Sequence, residues 1–136
     1  MTITQTTNRV LIADDDPVIR HLVAAIVKQQ GYIPVTLNDG GETCRMLKVD
    51  ADFKAAILDM SMPHLQGIDL IRYMRTERRL MRIPILLITA ETGIKLLADS
   101  FAAGATAFLP KPFTPAQLQT ALHMLLGAKS PVPRAA

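Results

Sequence analysis

The chain has 136 residues, of which 49% are hydrophobic and 20% charged, with a formal net charge of +3. That length fits one domain able to bury its own core, and that composition excludes intrinsic disorder. No apolar run approaches the roughly 20 residues of a membrane helix, residues 1–8 lack the basic and apolar regions of a secretory signal, and the single cysteine, Cys44, excludes an internal disulfide and suits a reducing cytosol.

Taken in order, residues 1–8 are a polar lead-in. Arg9 to Ala13 is an apolar run that predicts a first strand, and it ends in Asp14, Asp15 and Asp16. Pro17 then opens a helix with Asp16 as its N-cap. Val18, Ile19, Leu22, Val23, Ile26 and Val27 recur at helical spacing, and Gly31 stands where a stop is expected. Tyr32 to Leu37 reads as a short strand, and Pro34 places it at a sheet edge because proline cannot donate to a ladder. A turn at Asn38–Gly41 leads to a helix around Thr43 to Val49, with Cys44 a small buried residue on it.

Lys54 to Pro63 contains the third strand, an apolar run from Ala55 to Leu58 that carries Asp59 at its end. Gly67 to about Arg78 predicts a helix with Ile68, Leu70, Ile71 and Met74 on its apolar face. Ile83–Thr89 is the fourth strand, followed by a helix from Ala90 to Ala103 that Gly104 closes. Thr106–Pro110 is the fifth strand, and Lys111–Phe113 a turn. Thr114 caps a last helix with Pro115 first and Leu118, Leu122 and Leu125 inside. The expected organisation is a lead-in at 1–8, one domain at 9–127 and a Pro-containing tail or linker stub at 128–136.

Strand and helix alternate five times, which predicts an α/β fold: a doubly wound five-stranded parallel sheet with helices on both faces. Pro34 on the second strand fits the order 2-1-3-4-5. In such a sheet all strand C-termini share one edge, and ligands bind where the order reverses, between strands 1 and 3. Asp14, Asp15 and Asp59 should converge there, with Thr89 and Lys111 to one side.

Three carboxylates in a small cavity require a cation, because like charges drive their pKa values up. Hard oxygen donors in a partly hydrated site suit Mg²⁺. Lysine binds phosphate as a point charge, and a threonine hydroxyl can donate to a phosphoryl oxygen. A carboxylate can act as nucleophile toward phosphorus, giving an aspartyl phosphate. The set fits phosphorylation of an aspartate.

Four motifs carry a resemblance to the response-regulator receiver domain, the CheY-like family of two-component signalling, from about Val10 to Leu126. They are VLIADDDP at 10–17, ILDMSMP at 57–63 with Gly67, LLITA at 86–90 and GAxAFLPKPF at 104–113. The resemblance implies a flavodoxin-like fold and a cytoplasmic signalling switch rather than an enzyme. Asp59 would accept a phosphoryl group from a histidine kinase or histidine phosphotransfer protein. Asp15, Asp59 and the backbone carbonyl of Ser61 would hold Mg²⁺, with Asp14 acting mostly through a water. Thr89 and Lys111 would bind the phosphoryl oxygens, Lys111–Pro112 would be a cis peptide, and Phe108 would swing inward as Thr89 moves. Ser61 and Glu91 occupy places that modulate dephosphorylation in the family. A downstream protein or a second copy would dock on the face of the fourth helix, fifth strand and fifth helix, carrying Lys95, Phe108 and Gln117; neither nucleic acid nor membrane is an expected partner.

Two other readings compete. A phosphatase of the haloacid-dehalogenase kind would use Asp14 as nucleophile and Asp16 as acid/base, but the Gly-Thr that usually follows is missing and Pro17 intrudes. A degenerate receiver would serve only as an interaction module. A flavodoxin-like binder is disfavoured, because three acids where a phosphate loop should be would repel the ligand. The run Arg72, Arg75, Arg78, Arg79 and Arg82 reads as a solvated face or docking patch. His21, His64 and His123 have no ligand spacing, and the methionines read as core filler apart from Met60 and Met62 beside Asp59.

Overall fold

In the computed structural model, which describes residues 8–91 and 93–127, five β–α units follow one another. They are β1 (Arg9–Ala13), α1 (Pro17–Gln29), β2 (Ile33–Leu37), α2 (Gly40–Val49), β3 (Ala55–Asp59), α3 (Gly67–Thr76), β4 (Ile85–Thr89), α4 (Ile94–Ala103), β5 (Ala107–Pro110) and α5 (Pro115–Gly127). All strand pairs are parallel and the order is β2-β1-β3-β4-β5, as the sequence predicts. The tail read at 128–136 and nearly all of the lead-in lie outside the described residues.

Alternation along the strands builds two cores. Leu11, Ala56, Leu58, Ile85 and Leu87 face one way and pack on Leu47 of α2 and on Leu70, Ile71 and Met74 of α3. Val10, Ile12, Ile57, Leu86 and Ile88 face the other way, against Val23, Ile26 and Val27 of α1 and Leu118, Leu122 and Leu125 of α5. The central strands β3 and β4 are buried along their whole length, which explains why they read as unbroken apolar runs. At the β2 edge of the sheet, the Ile33 N–H donates to Asn8 O at 2.6 Å, so the next amide position along β2, Pro34, faces away from β1.

Helix ends follow the capping residues. The Asp16 side chain accepts from the amides of Val18 and Ile19 and starts α1. Asp39 accepts from the Glu42 N–H at 2.7 Å, so α2 begins at Gly40, ahead of the predicted Thr43. Thr114 and Gln117 cap α5 reciprocally. The fourth helix starts later than predicted, at Ile94 rather than Ala90. The Thr89 hydroxyl accepts from the Glu91 N–H and turns the chain away from helix at that point.

Several side chains depart from the pattern-based expectation. Val18 is 73% exposed, and the exposed Met81 and Met124 are not core filler. Cys44 is half-buried. The arginine run divides: all but Arg75 are exposed, yet Arg79 donates to Leu47 O, and the half-buried Arg75 donates to carbonyls of two other segments, the turn at Gly104 and the loop at Met81 and Ile83. Periodicity cannot reveal this, because the acceptors are backbone oxygens outside the helix.

Leu86→Ala, at a position 0% exposed, is expected to cost about 2–5 kcal/mol in urea unfolding. Val49→Ala, at a position 83% exposed, should stay within about 0.5 kcal/mol of the parent chain.

Candidate functional site

Asp14 directly follows β1, Asp59 closes β3, Thr89 closes β4 and Lys111 directly follows β5. Lateral backbone bonds hold this edge together: Met60 N–H to Ile88 O at 2.8 Å, Lys111 N–H to Thr89 O at 2.8 Å and Asp14 N–H to Leu37 O at 3.3 Å. The apolar strands therefore deliver four polar side chains to one place.

Asp14 and Asp59 are buried, 3% and 4% exposed. Lys111 Nζ lies 3.3 Å from Asp14 Oδ2 and 3.3 Å from Asp59 Oδ1. The lysine does not stand to one side, as strand order alone suggests, but joins the two acids. Two buried carboxylates need a shared cation, and the lysine chain reaches between them. Asp15 sits exposed at the rim, and one carboxylate oxygen from each of Asp14, Asp15 and Asp59 lies within 4.8 Å of the others. The Lys111–Pro112 bond is cis.

Burial, then the charge of Asp14, pushes the Asp59 carboxyl up to about 6, against the opposing pull of Lys111 and the Ser61 N–H. Burial works against the Lys111 ammonium, but Asp14 and Asp59 outweigh it and the net shift is upward. Asp14 is held by the Asp16 N–H on its Oδ1 at 2.9 Å, and Arg20 donates to its carbonyl at 2.8 Å. The sequence reading passes over Arg20. Its signal is position: helical side chains lean toward the N-terminus, so a long cation in the first turns of α1 reaches back over the loop.

Thr89 is 1% exposed, and its Oγ1 accepts from the Glu91 N–H at 2.9 Å, which leaves its own proton available to another acceptor. Ser61 Oγ donates to Glu91 Oε2 at 3.3 Å, a bridge between the loops after β3 and β4. At Gly67 an added Cβ would fall 2.6 Å from the Asp59 carbonyl oxygen, so only glycine lets α3 begin this close to the acid. Phe108 is half-buried and packs toward α4, with its ring 6.4 Å from that of Phe101.

Three carboxylates and one ammonium leave a formal excess of two negative charges. Hard oxygen donors with that excess fit a divalent hard cation such as Mg²⁺. With one lysine and one threonine hydroxyl adjacent, the pocket can also receive a tetrahedral oxyanion beside the cation.

Fold and site together define a doubly wound α/β domain with three clustered carboxylates and a buried lysine at the C-terminal edge of its parallel sheet. The sequence matches the response regulator receiver domain over residues 10–123, and the chain belongs to that family. It is 33% identical over 120 residues to chemotaxis protein CheY1 of Helicobacter pylori, spanning 88% of this chain and 97% of that one. The structure of chemotaxis response regulator CheY4 of Vibrio cholerae superposes with a TM-score of 0.82 at 32% identity, covering 89% of this chain and 100% of that one. The receiver domain of sensor histidine kinase PA1611 from Pseudomonas aeruginosa matches with a TM-score of 0.78 at 27% identity, covering 89% of this chain and 98% of that one. That structure holds a magnesium ion coordinated in its active site cleft.

A carboxyl raised in the folded state binds more protons folded than unfolded between its two pKa values. The contribution of this group to stability therefore falls as pH rises from about 4 to about 6 in the metal-free chain. Asp59→Asn should be the more stable chain, by a margin that grows through that window and levels at about 1–3 kcal/mol above it. Urea unfolding in chelator at a series of pH values measures the margin; one that shrinks toward neutrality contradicts the electrostatic account.

Proposed function

We propose that the domain is a phospho-acceptor switch in a two-component or phosphorelay system, with Asp59 as the acceptor. The observation that carries this reading is the Asp14–Lys111–Asp59 arrangement at the β1/β3 edge, with Thr89 on the next strand. The donor is a phosphohistidine of a kinase or phosphotransfer protein, and the setting is the cytoplasm. An Asp59 oxygen attacks phosphorus, the P–N bond breaks, and the imidazole leaves with the electron pair. Lys111 turns from the carboxylates toward the phosphoryl oxygens, and the Thr89 hydroxyl donates to one of them. Asp14, Asp15, Asp59 and the Ser61 carbonyl would hold Mg²⁺, which supplies the charge that keeps Asp59 ionised and neutralises phosphoryl oxygens.

Release of the Glu91 N–H by Thr89 then alters the chain entering α4, and Phe108 follows inward. The surface made by α4, β5 and α5 is the output face, for a downstream protein or a second copy. Two features support that choice. Ile94, Phe101 and Met124 are exposed by 84%, 48% and 67%. A shallow apolar groove beside α5 is lined by Leu109, Ala116, Gln117, Thr120, Ala121 and Met124. The phosphatase reading loses support, because Asp16 caps α1 through its side chain and is not aimed into the pocket.

Acetyl phosphate with Mg²⁺ should add one phosphoryl group, mapped by mass spectrometry to Asp59. Asp59→Asn should lose it, whereas Asp14→Asn should slow the reaction without moving the label. A label on Asp14 overturns the assignment. A chain that neither takes the label nor binds Mg²⁺ is an interaction module only. With beryllofluoride as the stable mimic, Thr89→Ala should bind the mimic yet lose most of the chemical-shift change at Phe108 seen in the parent chain.

A further inference from the structure

Helix α4 is fastened at one end. At its C-terminal end the Gly104 carbonyl accepts from Arg75 Nη2 at 2.7 Å and Nε at 3.1 Å. The same guanidinium donates through Nη1 to Met81 O at 2.8 Å and Ile83 O at 3.0 Å. One side chain of α3 thus ties the turn after α4 to the loop entering β4. Gly104 is fitted to receive it: its φ is +123°, and a Cβ there would lie 2.6 Å from Arg75 Cγ and Nε. The positive charge also meets the negative end of the α4 dipole. On the other flank, Thr106 donates its N–H to Ile85 O at 2.8 Å and accepts the Ile85 N–H on Oγ1 at 3.0 Å. Ser100, 0% exposed, lies in this anchored half.

The other end has no such hold. Gly93 caps α4 without a side-chain bond, and Ile94 is 84% exposed. Lys95 pairs with Asp99 of the same helix. Among the described residues, no side chain from another element hydrogen-bonds to Ile94–Ala98. This free end follows Thr89 and Glu91, the two residues that link to the pocket and to Ser61.

We infer that α4 is a lever hinged at Gly104, with Arg75 the positioning residue that fixes the hinge. A displacement at Thr89 and Glu91 is then delivered to the half of α4 bearing Ile94, Lys95 and Ala98, while the half bearing Phe101 stays in place. The origin of that displacement rests on the phospho-acceptor reading; the hinge itself is a property of the resting fold. The signal-dependent part of the output face is therefore the first half of α4.

Hydrogen exchange on the whole chain tests both parts. The amides of Leu97–Asp99 and Phe101–Ala105 are compared, since the first-turn amides exchange fast in any helix. In the parent chain the second group should exchange at least about tenfold more slowly. Arg75→Met keeps the aliphatic stem and removes all the donors. It should bring Phe101–Ala105 to the rate of Leu97–Asp99 and leave β1 and β3 amides unchanged, with Arg75→Lys intermediate. Equal rates in the parent chain, or a uniform rise across the whole sheet in Arg75→Met, overturn the hinge. With beryllofluoride and Mg²⁺, changes should be confined to Leu97–Asp99 in the parent chain and spread to Phe101–Ala105 in Arg75→Met. Equal changes in both groups of the parent chain overturn the lever. If the mimic changes nothing anywhere, the lever as a signalling device is rejected along with the acceptor reading, and the metal-free comparison still decides the hinge.

Discussion

Everything at the functional edge depends on one ion cluster, Lys111 held between Asp14 and Asp59. Two unit charges about 4 Å apart interact by roughly 4 kcal/mol at an effective dielectric of about 20, which is comparable to much of a domain's net stability. Two buried carboxylates could not be brought this close without a counterion, and one lysine only partly balances them. The remaining negative charge suits a divalent cation, and it adds to burial, the larger cause, in raising the Asp59 carboxyl. The sheet supplies the constraint that makes the cluster possible. Its parallel strands end together, and the order reversal between β1 and β3 leaves a crevice at that edge.

The fold was legible because its cues are local. Apolar runs of five residues, capping acids such as Asp16 and Asp39, and glycines with positive φ such as Gly31 and Gly104 each act within a few residues of themselves. Strand order followed from one proline and from the handedness of crossovers. The acids were legible because nothing in packing explains Asp59 at the tip of a buried strand, and parallel topology carries it to Asp14 and Asp15. The four motifs then gave the family, which the match over residues 10–123 bears out.

What the sequence did not disclose are features made by side chains reaching across the fold. The insertion of Lys111 between two acids depends on the length of its side chain and the path of the turn after β5. The late start of α4 depends on a hydroxyl accepting a neighbouring amide. Arg75 and Arg79 look like any other member of a basic run, because backbone carbonyls carry no sequence signature. Arg20 belongs with them: its acceptor is the carbonyl of Asp14, so residue type alone says nothing.

The outward-facing amide position of Pro34 has a consequence for how copies of this chain can meet. An exposed strand with a full row of donors is a template for another chain, and it invites edge-to-edge aggregation. Here a pyrrolidine ring occupies the place of a donor on the free side of β2, leaving the ladder to β1 intact. Sheet continuation across that margin is blunted without any loss inside the fold.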